Sequence, residues 1–174
     1  SAPFAEVFFD DCRVPEANRL GAEGLGFAIL DHVMKWEILA SFCVSAGAMR
    51  RRLDRCIAYA KQRKQFGQPI SNYQAISHKL VDMKMRLETA RLWLFTAAQK
   101  FQSGANVSVD LAIAKLLTSE GNVQSALDAI QIFGGYGYTA EYGLERELRD
   151  AVGGTLYSGT SEVQRNRIAA LIGA

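Results

Sequence analysis

Apolar residues recur in alternating steps of three and four along two long stretches of this chain, from Tyr73 to Phe101 and from Val109 to Phe133. This spacing places the apolar side chains in one continuous stripe along an α-helix, and such a stripe is buried against another element. In the first stretch the stripe is formed by Tyr73, Ile76, Leu80, Met83, Leu87, Ala90, Leu94, Ala97 and Phe101. The sequence therefore predicts two long amphipathic helices.

A third long helix is predicted upstream, from about Phe27 to Lys64, after the glycine-rich segment GAEGLG. Two shorter helices are predicted at about residues 141–151 and 161–172. Short connections between long helices favour antiparallel neighbours. The predicted fold class is therefore all-α: an up-and-down four-helix bundle with short extra helices.

The first 22 residues have a different pattern. A possible strand has Ala5, Val7 and Phe9 on one side and Phe4, Glu6 and Phe8 on the other, and a second short strand would end at Pro15. A lone pair of short strands is only marginally stable in water. We therefore predict that a short β remnant precedes the bundle, with residues 1–22 as the end of a truncated β domain and residues 23–174 as the helical bundle domain.

The overall charge does not indicate a nucleic acid or a membrane as a partner. The formal net charge is +2, and no apolar run approaches the length of a membrane span. The basic cluster Arg50–Arg52 with Arg55 is interpreted as a solvated or subunit-facing helix surface. Three cysteines form no CxxC pair and only two histidines are present, so no metal site is predicted, and reduced thiols favour a cytoplasmic location.

The segment TLYSGTSEVQRNRIA turns from an apolar run into a helix. Ser161 and Gln164 have the spacing of a capping box, which would explain the turn as a helix start. Free backbone N–H groups at a helix start can also bind an anionic ligand. No acidic residue lies in the turn before Glu162, so a reaction beside the turn would need its base from elsewhere.

Two further segments allow a structural and a functional interpretation. In RKQFGQPI, a glycine C-cap followed by a proline accounts for Gly67 and Pro69, whereas Arg63, Gln65 and Phe66 together suit a nucleotide pyrophosphate and a flat ring system. In QIFGGYGY, three glycines either end a helix or allow a ligand to approach the backbone closely.

Glu37 occupies an unusual position on the first helix. Helical spacing groups it with Val33, Ala40, Val44 and Gly47, a face that is apolar and becomes small-sided. An unpaired carboxylate is costly to bury there. Glu37 is therefore either neutralised by a cation such as an arginine, or it faces a cavity and acts as a general base.

Taken in order, RKQFGQPI, YQAISHKL, DAIQIFGGYGY and LRDAVGGTLYSGTSEVQR resemble the C-terminal helical domain of the acyl-CoA dehydrogenases, over about residues 24–174. FAEVFFDDCRVPEANRLG is similar to the last strands of that family's middle β domain. The resemblance implies an enzyme that binds FAD and oxidises an acyl thioester between Cα and Cβ. A carboxylate takes the α-proton while the β-hydrogen leaves as hydride to the flavin.

The resemblance also implies which residues contact FAD, in several cases the FAD of a neighbouring subunit. These residues are Arg63, Gln65, Phe66, Gln74, Gln131, Gly135, Thr160 and Glu162. Many family members have Gln where this chain has Glu162. A homodimer or homotetramer formed through the helical domain is therefore expected.

The catalytic glutamate of many family members stands where this chain has Ser158. A minority carry it on the first long helix, ten residues before a glycine, and Glu37 stands ten residues before Gly47. We therefore predict that Glu37 is the catalytic base.

The resemblance leaves several alternatives open. The substrate is an acyl-CoA, or an acyl or aminoacyl group on a carrier protein, and Ile38 stands where a polar residue near the substrate is common. The electrons pass to an electron-transfer acceptor, or to oxygen if the enzyme is an acyl-CoA oxidase. A non-catalytic oligomerisation module is the remaining alternative. The isolated chain is expected to bind FAD weakly, if at all, and to be inactive.

Overall fold

The computed structural model describes residues 5–174. Its α-helices are α1 (Gly26–Gln62), α2 (Gln74–Gln102), α3 (Ser108–Phe133), α4 (Gly135–Tyr138), α5 (Leu144–Gly153) and α6 (Ser161–Ile172). The two strands, β1 (Lys64–Gln65) and β2 (Gln68–Pro69), form an antiparallel hairpin between α1 and α2. The all-α prediction is confirmed, and the predicted helices agree with the observed ones to within a few residues; the single-turn helix α4 was not predicted.

The apolar stripe predicted on α2 lies in the core. Met83, Leu87, Ala90, Leu94 and Ala97 are all buried there, and the remaining stripe residues pack at its edge. Each member is separated from the next by close to one helical turn, so one side of the helix supplies all of them. This side of α2 packs against both α1 and α3.

Aromatic contacts fix the direction of the long helices. Trp36 near the start of α1 meets Phe101 at the end of α2, with ring centroids 4.7 Å apart. Tyr59 near the end of α1 stacks on Phe133 at the end of α3, at 3.9 Å. Helix α2 is therefore antiparallel to α1 and α3, and α5 and α6 pack in succession against α3. The predicted up-and-down bundle is confirmed, with two short helices in place of a fourth long one.

The basic cluster on α1 is only partly solvated, which corrects its interpretation as a surface. Arg52 is 1% exposed, and its Nε donates to Glu147 Oε2 at 2.8 Å. Its Nη1 donates to the side-chain and backbone oxygens of Asn122. Arg55 reaches the other oxygen of Glu147 at 2.8 Å. The cluster therefore joins α1 to α3 and α5.

The predicted strands before the bundle are not formed in the described residues, and the first of them begins among residues 1–4, which lie outside that range. Residues 5–25 contain one 3-10 turn, Glu16–Asn18, and no strand. Val7, Phe8 and Phe9 are largely exposed. Short strands need a third strand or a helix to cover their apolar face, and within residues 5–174 no strand or helix covers Val7, Phe8 and Phe9. No helix in residues 5–174 is both long and apolar enough to cross a bilayer.

Candidate functional site

Glu37 on α1 meets Ser158 in the turn before α6. The Ser158 hydroxyl donates to Glu37 Oε1 at 2.6 Å, and the Ser41 hydroxyl reaches the same oxygen at 3.5 Å. Across the described residues no ion pair joins Glu37 to an arginine or lysine. We call Glu37, Ser41, Ser158 and Gln164 the carboxylate corner. Of the two interpretations of Glu37, neutralisation by a directly bound arginine is excluded within residues 5–174.

The turn that carries Ser158 is held rigidly. Ser158 has a φ of 57° and Gly159 a φ of 84°, both in the left-handed region. The buried Gln164 side chain donates its Nε2 to the Ser158 carbonyl at 2.8 Å. A Cβ on Gly159 would lie 2.8 Å from that nitrogen, so only glycine fits without displacing the glutamine.

The start of α6 differs from the predicted capping box. The N-cap is Thr160, whose hydroxyl accepts a hydrogen bond from the backbone N–H of Val163 at 3.3 Å. Gln164 is used for the Ser158 carbonyl instead, so Ser161 and Gln164 do not cap each other. The backbone N–H of Glu162 and the Thr160 hydroxyl lower the pKa of the Glu162 carboxyl. The Glu162 carboxylate therefore lies beside the helix-start donors that a phosphate would use.

A buried lysine lies behind this corner. Lys115 on α3 is 0% exposed, and its Nζ lies 5.7 Å from the centre of the Phe42 ring. Burial lowers the pKa of Lys115, while the carboxylates of Glu120, Glu162 and Glu37 act in the opposite direction. Sequence reasoning missed this residue, because on α3 it stands among core-facing positions that a lysine rarely occupies.

A second site lies at the far end of α1. A cavity of about 710 Å³ is lined there by Tyr59, Arg63, Gln65, Phe66, Ile70, Tyr73, Ile76, Ile132, Phe133, Gly134, Gly135, Tyr136 and Thr139. We call it the aromatic cavity. The Arg63 guanidinium lies 5.8 Å from the centre of the Tyr136 ring. The segments RKQFG and IFGGY, which were interpreted separately from the sequence, therefore line the same cavity.

The hairpin that carries Phe66 corrects the predicted glycine C-cap. Gly67 is a hairpin-turn residue with a φ of 82°, and Phe66 before it has a φ of 50°. A bulky residue in the left-handed region is strained, and such strain is often found at functional sites. The Phe66 side chain is 91% exposed beside the cavity.

Not all predicted cofactor residues meet. Four of them, Arg63, Gln65, Phe66 and Gly135, line the aromatic cavity, whereas the exposed side chains of Gln74 and Gln131 are not part of its lining. Thr160 and Glu162 lie at the other site, beside the carboxylate corner.

Sequence reasoning also missed Tyr59 and Tyr136 as lining residues. The signal for Tyr59 was its position one helical turn before Arg63. Tyr136 directly follows the paired glycines of the IFGGY segment.

The two sites are far apart. Glu37 lies in the first half of α1 and Arg63 directly follows its last residue, so at a rise of ~1.5 Å per residue the two are separated by about 39 Å along the helix. This distance exceeds the length of one FAD molecule.

Known proteins resemble nearly the whole chain. A family model described as "Acyl-CoA dehydrogenase, C-terminal domain" matches residues 24–173. An L-prolyl-[peptidyl-carrier protein] dehydrogenase from Pseudomonas fluorescens Pf-5 is 47% identical over 169 residues, which are 97% of this chain and 44% of that protein. The chain thus spans less than half the length of this relative.

Two solved structures have the same fold. The FAD complex of PigA has 41% sequence identity and a TM-score of 0.91, over 95% of this chain and 43% of that one. The prolyl acyl carrier protein oxidase AnaB has 45% identity and a TM-score of 0.91, over 95% of this chain and 44% of that one. Since the family model spans nearly the whole bundle and these relatives agree in sequence and fold, the chain belongs to the acyl-CoA dehydrogenase family, in which it corresponds to the C-terminal domain.

Proposed function

We propose that this chain is the C-terminal helical part of an FAD-dependent acyl-thioester dehydrogenase in which Glu37 is the catalytic base. The observation that carries the proposal is the 2.6 Å hydrogen bond from Ser158 to Glu37. Ser158 stands where many family members have their glutamate, and it therefore contacts Glu37, the acid predicted to replace that glutamate. A carboxylate held there can serve the same substrate atom from a different helix.

The residues of the corner suit proton abstraction. Glu37 is half-buried, and its oxygen Oε2 accepts no hydrogen bond from the described residues, which leaves it free for a substrate proton. General bases act within hydrogen-bond distance of the proton they remove. Bound FAD would supply the acceptor for the hydrogen that leaves Cβ.

The aromatic cavity fits part of an FAD molecule. Its volume of about 710 Å³ lies within the range typical of small-molecule sites. Arg63 can pair with a pyrophosphate, and the exposed ring of Phe66 can stack on a flat ring system. We propose that Arg63, Gln65, Phe66 and Gly135 hold the cofactor here, and that Gln74 and Gln131 contact it at the cavity rim.

The separation of the two sites supports a shared cofactor. About 39 Å along α1 is too far for one FAD to contact Glu37 and Arg63 of the same chain. We therefore propose a homodimer or homotetramer in which the aromatic cavity binds the FAD of a neighbouring copy. Thr160 and Glu162 would contact the chain's own FAD, with Glu162 the weaker contact because its negative charge opposes a phosphate.

Glu37→Gln tests the proposed base, in the complete polypeptide that contains this chain and with FAD bound. The substitution keeps size and hydrogen bonding but removes basicity. We expect the rate of flavin bleaching by an acyl thioester to fall by about two to four decades, with an unchanged flavin absorbance. Glu88→Gln, on the exposed side of α2, is the matched control and should bleach at the wild-type rate. Rapid bleaching in Glu37→Gln would refute the assignment.

A carrier-bound substrate is the second candidate. The similarity to an enzyme named for a prolyl group on a peptidyl carrier protein favours it over CoA. Anaerobic bleaching of the flavin by a prolyl-carrier-protein thioester, compared with bleaching by a short-chain acyl-CoA at equal concentration, distinguishes the two substrates.

The electron acceptor is tested separately. Rapid reoxidation of the reduced enzyme by air would identify an oxidase, whereas slow reoxidation would indicate a separate electron-transfer acceptor.

The absence of flavin from the complete polypeptide would favour a non-catalytic oligomerisation module over an enzyme.

We propose that the isolated chain binds FAD weakly or not at all and is inactive. The proposal also places the enzyme in the cytoplasm, where its three free thiols would stay reduced.

A further inference from the structure

The contacts of Glu37 differ between its two carboxylate oxygens. Oε1 accepts the Ser158 hydroxyl at 2.6 Å and a weaker contact from Ser41 at 3.5 Å. Oε2 accepts no hydrogen bond from residues 5–174. A short hydrogen bond to an ionised acceptor is about twice as strong as one between neutral groups. Ser158 therefore distinguishes the two oxygens.

The backbone around Ser158 allows its hydroxyl little freedom. The residue adopts a left-handed φ of 57°, although serine gains no steric relief there. Gln164, itself buried, fixes the Ser158 carbonyl at 2.8 Å. The backbone N–H of Ser161 donates to the Thr155 carbonyl at 3.0 Å and closes the turn. The surrounding turn thus over-determines a strained conformation, which is the usual condition for strain to persist.

We propose that Ser158 is a positioning residue for Glu37: its hydroxyl fixes Oε1, so that Oε2 is the oxygen that accepts the substrate proton. The second half of this statement rests on the proposed function, whereas the hydroxyl–carboxylate contact does not. The serine that stands in place of an acid thereby retains a role in the same proton transfer.

Removal of the Ser158 hydroxyl leaves the charged groups near Glu37 in place. Lys115 on α3 interacts electrostatically with the carboxylates of Glu37 and of Glu162 on α6. Lys115 and Glu162 both remain in a Ser158 variant, so that variant isolates the hydroxyl.

The test compares Ser158→Ala with wild type in the FAD-bound complete polypeptide. Infrared difference spectra follow the carboxylate stretching bands of Glu37, assigned by their absence in Glu37→Gln. A short hydrogen bond to only one of the two oxygens makes the two C–O bonds unequal, so we expect the separation of the antisymmetric and symmetric bands to change in Ser158→Ala. The limiting rate of flavin reduction at saturating substrate should fall about tenfold because Oε2 is no longer oriented.

Two further variants complete the design. Ser158→Gly removes the same hydroxyl and relieves the left-handed strain, so it should give the same change in band separation even if Ser158→Ala does not fold. Ser45→Ala removes a hydroxyl of α1 that donates to the Ser41 backbone at 3.2 Å, and it should change neither measurement.

An unchanged separation of the two carboxylate bands, or an unchanged limiting rate, overturns the proposal for Ser158. If Glu37→Gln bleaches normally, the proposed function fails instead, and the band separation alone still decides whether Ser158 holds the carboxylate.

Discussion

Gly159→Ala is the sharpest test of how the carboxylate corner is held together. Gly159 has a φ of 84°, and a Cβ there would lie 2.8 Å from Gln164 Nε2 and 3.3 Å from Val163 Cγ1. The alanine methyl must therefore displace the Gln164 amide, which breaks its hydrogen bond to the Ser158 carbonyl. The substitution acts on the corner without changing any of the groups that contact Glu37.

The cost has two parts. A non-glycine residue in the left-handed region costs about 1–2 kcal/mol. Loss of the hydrogen bond of a buried amide adds about 1–3 kcal/mol. Gly104→Ala is the matched control, since Gly104 has a φ of 78° and no atom within 4 Å of its would-be Cβ. It carries only the first cost, so the difference between the variants isolates the Gln164 contact.

Urea denaturation of both variants, followed by far-ultraviolet circular dichroism, measures these free energies of unfolding. Gly159→Ala should be less stable than Gly104→Ala by about 1–3 kcal/mol. Equal destabilisation of the two would show that Gln164 does not stabilise the turn, and the reasoning about the rigid corner would be refuted.

Two other predictions concern the core. Glu147→Gln leaves the buried charge of Arg52 without its carboxylate. The free energy of unfolding, measured by urea denaturation, should therefore fall by about 3–5 kcal/mol. Arg50→Gln is the control: it breaks an exposed ion pair, and the free energy of unfolding should fall by less than about 1 kcal/mol. Burial raises the pKa of the Cys56 thiol to about 12. At pH ~8 Ellman's reagent should therefore label the two exposed cysteines and leave Cys56 unreacted. Rapid labelling of all three thiols would contradict this prediction.

The helices could be predicted because their determinants are local. The three-and-four spacing from Tyr73 to Phe101 specifies a buried side regardless of what covers it. Gly104 follows the end of α2 with a φ of 78°, and a left-handed glycine after a helix is likewise a local requirement. Elements of this kind can be predicted without information about the rest of the chain.

The failures share a dependence on distant residues. Gly67 follows a helix and precedes a proline, as a C-cap would, yet the chain forms a hairpin there. The residues from Ala5 to Phe9 have the alternation of a strand, but a strand forms only where another strand or a helix accepts it. The Arg52 side chain is buried because Glu147, far along the sequence, neutralises it.

The carboxylate corner was predictable in part. The family resemblance identified Glu37 and Ser158 as alternative positions for one base, but it did not predict a hydrogen bond between residues 121 positions apart. That contact requires α1 and the turn before α6 to approach each other, which follows from the packing of α5 and α6 on α3. Residue types indicated the chemistry, and tertiary packing decided which atoms meet.

Lys115 extends the same reasoning to the region behind the corner. Burial lowers its pKa from an ordinary value of 10.5, with Glu120, Glu162 and Glu37 opposing the shift. Between the lowered native pKa and 10.5 the unfolded chain binds more protons than the native one. The free energy of unfolding attributable to this residue therefore rises with pH in that window. The buried charge is therefore most costly below the lowered native pKa, and its cost disappears as the pH rises past 10.5.

Lys115→Met tests this directly, because methionine has a similar shape and no charge. At neutral pH the variant should be more stable than wild type by about 1 kcal/mol or more, as is often found when a buried charge is replaced by an apolar side chain. Its advantage should shrink as the pH approaches 10.5. Lys84→Met, which removes an exposed ammonium from α2, should show no such pH-dependent difference. If Lys115→Met were instead destabilised at neutral pH, the ammonium would be held by the carboxylates strongly enough to outweigh its burial, and Lys115 would be a stabilising charge of the corner.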